Sequence, residues 1–171
     1  DYFELANLDD LKESLAFVYQ DGIKFKLTSN LDLNDSTTNL TGWNLSRFKG
    51  TFDGNGKTLS NVNINQDFNK DVGLFGKLDN ATVSNLTISG ATVKGYGNTG
   101  TLAGSSNNNS VISAVIVTGT TITGGSDGNI GGLVGLNTTG STISGSSTTG
   151  TLSGTGVNSG GLVGFNNSAA T

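Results

Sequence analysis

A short glycine motif recurs along this chain at a nearly constant interval. Gly-Leu-Xaa-Gly occurs three times, and a weaker copy, Gly100-Thr101-Leu102-Ala103-Gly104, lies between the first two. The last glycines of the four copies stand at positions 76, 104, 135 and 164. A unit of this length cannot bury its own apolar face, so several units must stack into a solenoid. The motif positions are Gly73, Leu74, Gly76, Gly104, Gly132, Leu133, Gly135, Gly161, Leu162 and Gly164.

Apolar residues recur at the same interval and predict which positions face inward. One aligned position holds Leu59, Val83, Ile112 and Ile143, and another holds Ile64, Ile88, Val117 and Thr148. The alternation and the Gly and Asn bends between these positions predict three short strands per coil of about 29 residues, because strands stack side by side at ~4.8 Å. We therefore expect a parallel β-helix. The local turn spacing also fits an antiparallel sandwich, but hairpins do not reproduce the long-period match.

Residues 1–22 predict a helical cap on this solenoid. Asn7 and Asp10 fit a capping box, and Leu8, Leu11, Leu15 and Val18 then form one apolar stripe. Residues 23–171 form the predicted β-helix, beginning at the alternating segment 23–28. Since the chain stops soon after a motif copy, we expect it to be a piece of a longer protein.

Charge and composition exclude several function classes. All nine Lys and Arg lie at or before Lys94, and Asp127 is the only charged residue after it. A neutral second half gives no electrostatic footprint for nucleic acid. The chain has no run of 18 apolar residues, so we expect no membrane insertion. Cysteine and histidine are absent, and we predict no cofactor and no metal site.

Four acidic residues and one tryptophan are the candidates for chemistry. Asp53, Asp67, Asp71 and Asp79 fall within two predicted turns near Lys57, Lys70 and Lys77, and glycoside cleavage requires converging carboxylates. Solvated loops and turns explain them without any further assumption and are the preferred interpretation, and Asp53-Gly54-Asn55-Gly56 is interpreted as a corner turn. Trp43 suits stacking on a sugar ring, although covering the first coils is the simpler role. Rows of Thr-Xaa-Thr also permit ice binding, although threonine is simply a good strand former.

The segment 48–59, with its Phe-Asp-Gly-Asn-Gly turn, followed by the Gly-Leu-Xaa-Gly copies, resembles the GLUG-motif proteins. The resemblance covers nearly the whole chain and departs at Thr101, Ala103 and the polar stretch 146–148. It implies a right-handed parallel β-helix of the pectate-lyase-like type. It also implies a region of a large bacterial surface or secreted protein, such as filamentous-haemagglutinin-like adhesins or the non-catalytic part of immunoglobulin-A1-cleaving metalloproteases.

These observations predict a non-enzymatic, adhesive or structural segment that is secreted or displayed on a bacterial cell. Expected partners are a host-cell, matrix or polysaccharide surface, together with end-to-end self-association through the open C-terminal coil. The alternative is a carbohydrate-active or carbohydrate-binding module with Trp43, Asp53, Asp67 and Asp71 as contacts. Ice binding is a third hypothesis.

Overall fold

A computed structural model describes residues 1–34, 47–167 and 169–171. The hypothesis for Trp43 therefore lies outside the described residues. One short helix, α1 (Leu8–Ser14), continues into a 3₁₀ turn (Leu15–Phe17). The strands are β1 (Phe3–Leu5), β2 (Lys24–Leu27), β3 (Leu31–Asp32), β4 (Thr51–Ser60), β5 (Asn63–Gln66), β6 (Asp71–Val72), β7 (Phe75–Asp79), β8 (Thr82–Ser89), β9 (Thr92–Gly95), β10 (Asn98–Gly100), β11 (Ala103–Asn107), β12 (Val111–Gly124), β13 (Asn129–Gly131), β14 (Val134–Asn137), β15 (Thr142–Ser144), β16 (Ser147–Gly154), β17 (Asn158–Gly160) and β18 (Val163–Asn166).

The strands form three parallel sheets that the chain visits in turn. Sheet A contains ten strands, whereas sheet C (β6, β10, β13, β17) and sheet B (β7, β11, β14, β18) contain four each. About five turns result: β2–β3, β4–β7, β8–β11, β12–β14 and β15–β18, numbered here 1 to 5. Each complete turn runs through sheets A, C and B before it returns to A. The predicted parallel β-helix is thus confirmed, and the antiparallel alternative is wrong.

The strand register confirms most of the predicted inward positions. Val83, Ile112 and Ile143 are direct partners in successive turns, and Ile88 pairs with Val117, which pairs with Thr148. The prediction was wrong for turn 2, where Leu59 pairs with Ile88 and Ile64 pairs with Val93.

The register error in turn 2 has a local cause within β4. Phe52 is the residue beside Val83, and the pairing with β8 shifts between Asp53 and Lys57. Residues 54–56 therefore lie opposite the single residue Asn85. Asn55 and Gly56 adopt positive φ angles of 51° and 70°. The predicted corner turn is thus an insertion inside a strand that bends sheet A.

The N-terminal cap has the predicted helix and one strand that the sequence did not reveal. Asn7 Oδ1 accepts hydrogen bonds from the backbone N–H groups of Asp9 and Asp10, and Asp10 Oδ2 accepts from Asn7 N–H. This reciprocal capping box fixes the start of α1. Before it, β1 pairs in parallel with β2 and becomes the outermost strand of sheet A. In chain order, α1 therefore lies between β1 and β2, the two strands that pair with each other.

The interior is aromatic near the N-terminal end and aliphatic beyond it. Phe48 stacks on Phe25 and on Phe75, with ring centroids 6.3 and 5.0 Å apart, and Phe52 meets Phe75 edge-on at 5.6 Å. Further along, the position of Phe75 is taken by Ala103 in turn 3. At this position the core side chain is thus smaller in turn 3 than in turn 2.

The last glycine of each motif copy lies in a strand of sheet B, and the backbone of sheet C approaches it closely at Gly104, Gly135 and Gly164. A methyl group added at Gly135 would lie 2.6 Å from Thr99 N and 2.7 Å from Asn129 O, both backbone atoms of sheet C. Gly164 has the same relation to Ile130, with backbone atoms at 2.8 Å. The last glycine of the motif is thus required because sheet C occupies the space of a side chain. Leu74, Leu102 and Leu133 fill the adjacent interior, with no exposed area.

We predict that Gly135→Ala destabilises the fold by about 1–3 kcal/mol, because overpacking forces the backbone to move. Gly161→Ala is the matched control, since a methyl group there meets nothing within 4 Å. It should change stability by no more than about 0.5 kcal/mol. Urea unfolding followed by circular dichroism measures both. Equal, small effects would mean that sheets B and C are not in backbone contact at Gly135.

Candidate functional site

The outer face of sheet A in turns 3 to 5 is a nearly uncharged surface. Successive turns align its residues in register: Thr92, Thr121 and Thr151 form one column, and Lys94, Thr123 and Ser153 form the next. We call this surface the threonine face. Its members in the described strands are Thr82, Ser84, Thr87, Ser89, Thr92, Lys94, Val111, Ser113, Ile116, Thr118, Thr121, Thr123, Thr142, Ser144, Ser147, Thr149, Thr151 and Ser153.

Two features of the threonine face suit contact with another surface. Ile116 and Val111 are 45% and 38% exposed within it, so apolar and hydroxyl groups alternate. Lys94 is its only charged member. Thr120, which belongs to one of the Thr-Xaa-Thr rows considered for ice binding, is instead buried in the interior. The exposed rows are therefore shorter than the sequence suggested.

The predicted acidic cluster is distributed over three sheets. Asp53 lies on β4 of sheet A, Asp71 on β6 of sheet C and Asp79 on β7 of sheet B. Asp53 Oδ1 accepts from Asn55 N–H at 2.8 Å and from Asn85 Nδ2 at 3.2 Å, which holds the corner of sheet A. The structure therefore does not bring these carboxylates together in one groove, as glycoside cleavage would require.

Asp71 begins a ladder of stacked amides that the sequence analysis missed. Asn98 Nδ2 donates to Asp71 Oδ1 at 2.9 Å, Asn129 Nδ2 donates to Asn98 Oδ1 at 2.7 Å, and Asn158 Nδ2 donates to Asn129 Oδ1 at 2.7 Å. Each side chain satisfies the one in the next turn, so the ladder is structural. The three asparagines recur at the interval of the glycine motif, and that coincidence was the signal that could have revealed the ladder.

Asp67 lies in a shallow cleft at the corner between sheets A and C. Its Oδ1 is 2.8 Å from Lys94 Nζ. Tyr96 lines the same cleft and is 44% exposed, beside Thr123 and the backbone of Gly95, Gly124 and Gly125. The cleft has a volume of about 140 Å³. The cleft combines a half-exposed aromatic ring with an ion pair, and sugar-binding sites use this combination. Of these residues, the sequence predicted only Asp67.

Asp79 is the one strongly held carboxylate among the described residues. It is 3% exposed and accepts hydrogen bonds from Arg47 Nε at 2.7 Å, from Arg47 Nη2 and from Asn108 Nδ2. Burial by itself raises the pKa of Asp79. The hydrogen bonds from Asn108 and Arg47 and the charges of Arg47 and Lys77 outweigh it, so the pKa falls below its ordinary value of 3.8. Asp79 is therefore an anionic structural anchor.

Two threonines that replace expected glycine or apolar residues of the repeat form hydrogen bonds within the solenoid. Thr101, which takes the place of the first motif glycine in turn 3, lies 2.8 Å from Thr120 Oγ1, and both residues are buried. Thr120 Oγ1 also lies 3.3 Å from Ala91 O, so the two hydroxyl groups have hydrogen-bond partners inside the solenoid. In turn 5, Thr148 Oγ1 donates to Gly161 O at 2.6 Å. Parallel pairing continues through β15–β18, with one register shift between β12 and β16 at Val117–Thr120.

The described ranges contain neither a metal cluster nor a membrane-spanning helix. Within 1–34, 47–167 and 169–171, no group of three acidic, histidine or cysteine residues is arranged to hold a metal ion. In the same ranges, no helix has the length and apolarity needed to cross a membrane.

Fold and surface together define this chain as a parallel β-solenoid, and comparisons with known proteins agree. It is similar to halomucin of Haloquadratum walsbyi, with 36% identity over 127 residues that cover 74% of this chain and 1% of halomucin. Among solved structures it is similar to a candidate immunoglobulin A1 protease from Bacteroides ovatus, with a TM-score of 0.62 and 17% identity over 99% of this chain and 63% of that one. This second likeness shows the fold alone. No protein-family model matches, so GLUG membership stays a prediction.

We predict that Asp79→Asn destabilises the protein by about 1–3 kcal/mol at pH 7. The loss is no larger because Arg47 is half-exposed and solvent screens its charge. The pKa of Asp79 is lower in the folded than in the unfolded state. Its stabilisation is therefore complete above the unfolded pKa and is lost as the pH falls through the folded pKa. Urea unfolding of both proteins from pH 7 to pH 2 should show the difference shrinking only below about pH 4. Asp127→Asn is the control. A difference that is constant with pH would contradict the role of the charge.

Proposed function

We propose that this chain is a non-catalytic segment of a large secreted or cell-surface protein, where it forms a stiff rod whose threonine face adheres to other surfaces. The observation that carries the proposal is the in-register, nearly uncharged outer face of sheet A across three turns. Such a face presents hydroxyl and methyl groups at a regular spacing of ~4.8 Å and remains adhesive at any ionic strength.

The comparisons support a location outside the cell. The matched stretch is 1% of halomucin, so the related segment is one small part of a very long chain. The name of that protein describes a mucin, and mucins are extracellular. A bacterial source and membership of an adhesin family remain proposals.

The dispersed carboxylates support the non-catalytic assignment. Asp53, Asp71 and Asp79 each accept hydrogen bonds from the fold itself, and none of them faces a second carboxylate across a cleft. The structure of a candidate protease in Bacteroides ovatus resembles this chain in fold. At 17% identity that likeness carries no catalytic role over to this chain.

A second candidate function is carbohydrate binding at the cleft of Asp67, Lys94 and Tyr96. The half-exposed Tyr96 ring favours it, since an aromatic face packs against the apolar face of a sugar ring. The ion pair of Asp67 and Lys94 supplies both an acceptor and donors for hydroxyl groups. The cleft is small compared with pockets for larger ligands, which measure about 300–1,000 Å³, so a single sugar unit fits it best.

One adhesion assay tests both functions. Labelled protein is bound to surfaces coated with neutral polysaccharide or matrix glycoprotein at about 0.05 and 0.5 M salt, and retention should change by less than about twofold. The double variant Thr121→Lys and Thr151→Lys should reduce retention by about tenfold or more, because contact would bury unpaired charges. Ser126→Lys with Thr155→Lys adds the same charge elsewhere and should have little effect.

The same assay separates the alternatives. If Tyr96→Ala abolishes binding to polysaccharide while the threonine-face variant does not, the cleft is the binding site and the proposal for the threonine face is wrong. New reducing ends in the polysaccharide after incubation would show enzymatic activity and would contradict the non-catalytic assignment.

We also propose that two copies associate through their C-terminal turns. Ile143, Leu152, Leu162 and Val163 are only partly buried, whereas the residues at the same positions of turn 4 are buried completely. Strands β17 and β18 end sheets C and B, so their outer edges carry backbone groups that can pair with another strand.

We expect the sedimentation coefficient of this chain to rise with concentration up to a dimer. The variant Leu152→Lys with Leu162→Lys should stay monomeric, because each lysine would place a charge in the apolar contact. Ser126→Lys, in the loop after β12, serves as the control and should dimerise like the wild type. A monomer at all accessible concentrations would contradict the proposal.

A further inference from the structure

A pocket of about 230 Å³ lies at the N-terminal end of the solenoid, between β1, β2 and α1. Phe3, Phe17 and Phe25 contribute aromatic rings to it. The Phe3 ring lies parallel to that of Phe17, with centroids 6.4 Å apart and planes inclined by 7°, and it is tilted against Phe25 at 6.2 Å. We call this the N-terminal pocket.

The N-terminal pocket is the unfilled end of the apolar interior. Phe3 pairs in register with Phe25, which pairs with Phe52, so Phe3 continues the inward column that leads to Val83. Nevertheless, Phe3 is 61% exposed, and Phe17 is 49% exposed. The helix thus covers Leu5 and Leu11, which are buried, and leaves the corner at Phe3 open.

Carboxylates surround this apolar opening. Glu4, Asp10 and Glu13 line the pocket. Asp10 Oδ2 also accepts from the backbone N–H groups of Ala6 and Asn7, whereas Glu4 and Glu13 are exposed. The neighbouring cations are directed elsewhere: Lys12 Nζ is 3.6 Å from Asp9, and the amines of Lys24 and Lys26 lie 6.0 and 5.8 Å from the Tyr2 ring centroid.

The charge distribution along the chain adds to the negative charge around the pocket. Residues 1–22 contain six acidic residues and one lysine, whereas the remaining residues contain seven acidic and eight basic ones. The side chains of the cap therefore carry −5 and those of the rest carry +1, which together give the net charge of −4. With Lys24 and Lys26 of β2 included, residues 1–26 still carry −3 of the net charge of −4, so most of the negative excess is at the end that holds the pocket.

We propose that the N-terminal pocket binds a basic segment of a protein partner, with a lysine or arginine side chain packed against the exposed rings of Phe3 and Phe17. Aromatic faces attract cations, and the methylene stem of such a side chain packs against the same rings. The carboxylate of Glu13 then neutralises the charged head at the rim, whereas Glu4 lies beside Lys26 on the other face of β1. This site is independent of the threonine face.

A second copy of this chain is the less suitable occupant. After Lys94, the chain has no basic side chain, and Asp127 is its one charged residue. The open C-terminal turn therefore offers nothing that complements the acidic rim of the pocket. Charge complementarity favours a different, cationic protein.

The test is fluorescence anisotropy with the whole chain and two labelled peptides. One peptide carries two lysines beside a leucine, and the other carries glutamines in their place. The lysine peptide should bind saturably and at least about tenfold more tightly than the glutamine peptide. Phe17→Ala and Glu13→Gln should each weaken its binding by about five- to tenfold, which follows from the strength of cation–π contacts and short charge pairs.

The controls keep the proposal falsifiable. Phe68→Ala removes an aromatic ring that is 93% exposed between β5 and β6, and Asp127→Asn removes a distant carboxylate; both should bind like the wild type. Circular dichroism of each variant verifies the fold, and Glu13→Gln changes only an exposed side chain. Equal binding of the two peptides would overturn the proposal, as would equal losses in the pocket and control variants. A dimer that Phe17→Ala abolishes, without peptide binding, would identify a second copy as the occupant instead.

Discussion

The close approach of sheets B and C is the constraint on which the rest of this structure depends. Where Gly135 and Gly164 face the backbone of sheet C, the interior has no room for a methyl group. Sheet C supplies apolar side chains such as Val72 and Ile130 beside Gly95 and Gly124 of sheet A, and Leu133 and Ile122 are buried as well. A solenoid this thin buries little apolar area per turn, so it relies on repetition of many turns for its stability.

The thin interior is also held by polar ladders. The column from Asp71 through Asn98 and Asn129 to Asn158 places one amide in each turn, and each donates to the one before it. In sheet B the direction is reversed, because Asn137 Nδ2 donates to Asn166 Oδ1 of the following turn. Because a stacked amide both donates and accepts, each added turn satisfies its neighbour without bringing in charge.

The sequence revealed the inward columns that repeat from turn to turn. It did not reveal the local geometry at corners, which differs between turns. The columns through Ile112 and Val117 could be predicted because residues that stack in successive turns recur in the sequence at the interval of the glycine motif. The misalignment of Leu59 arose from residues 54–56, which lie opposite one residue of β8. Their geometry depends on the positive φ angles of Asn55 and Gly56, which no repeat pattern encodes.

The candidate sites were harder to predict for the same reason. Asp67 pairs with Lys94 and Arg47 pairs with Asp79, and among the described residues neither ion pair recurs in another turn. Both pairs lie where the chain leaves one sheet for another. The strand β1 was missed because three residues are too few to show an alternating pattern. Sequence reasoning thus located the walls of the solenoid but not the contacts at its corners.

Stacking also explains why charge is lost along the chain. Two like charges at the strand spacing of ~4.8 Å repel each other by about 1 kcal/mol even in water, and every further turn would repeat that cost. The five lysines on described strands avoid it: Lys26 lies beside Glu4 and Asp53, Lys24 beside Thr51, Lys57 beside Leu86, Lys77 beside Ser105 and Lys94 beside Thr123. Turns that copy one another closely can therefore carry threonine, serine and asparagine columns but not lysine columns. The neutral threonine face is in this sense a consequence of regular stacking, and charge is concentrated at the irregular N-terminal end.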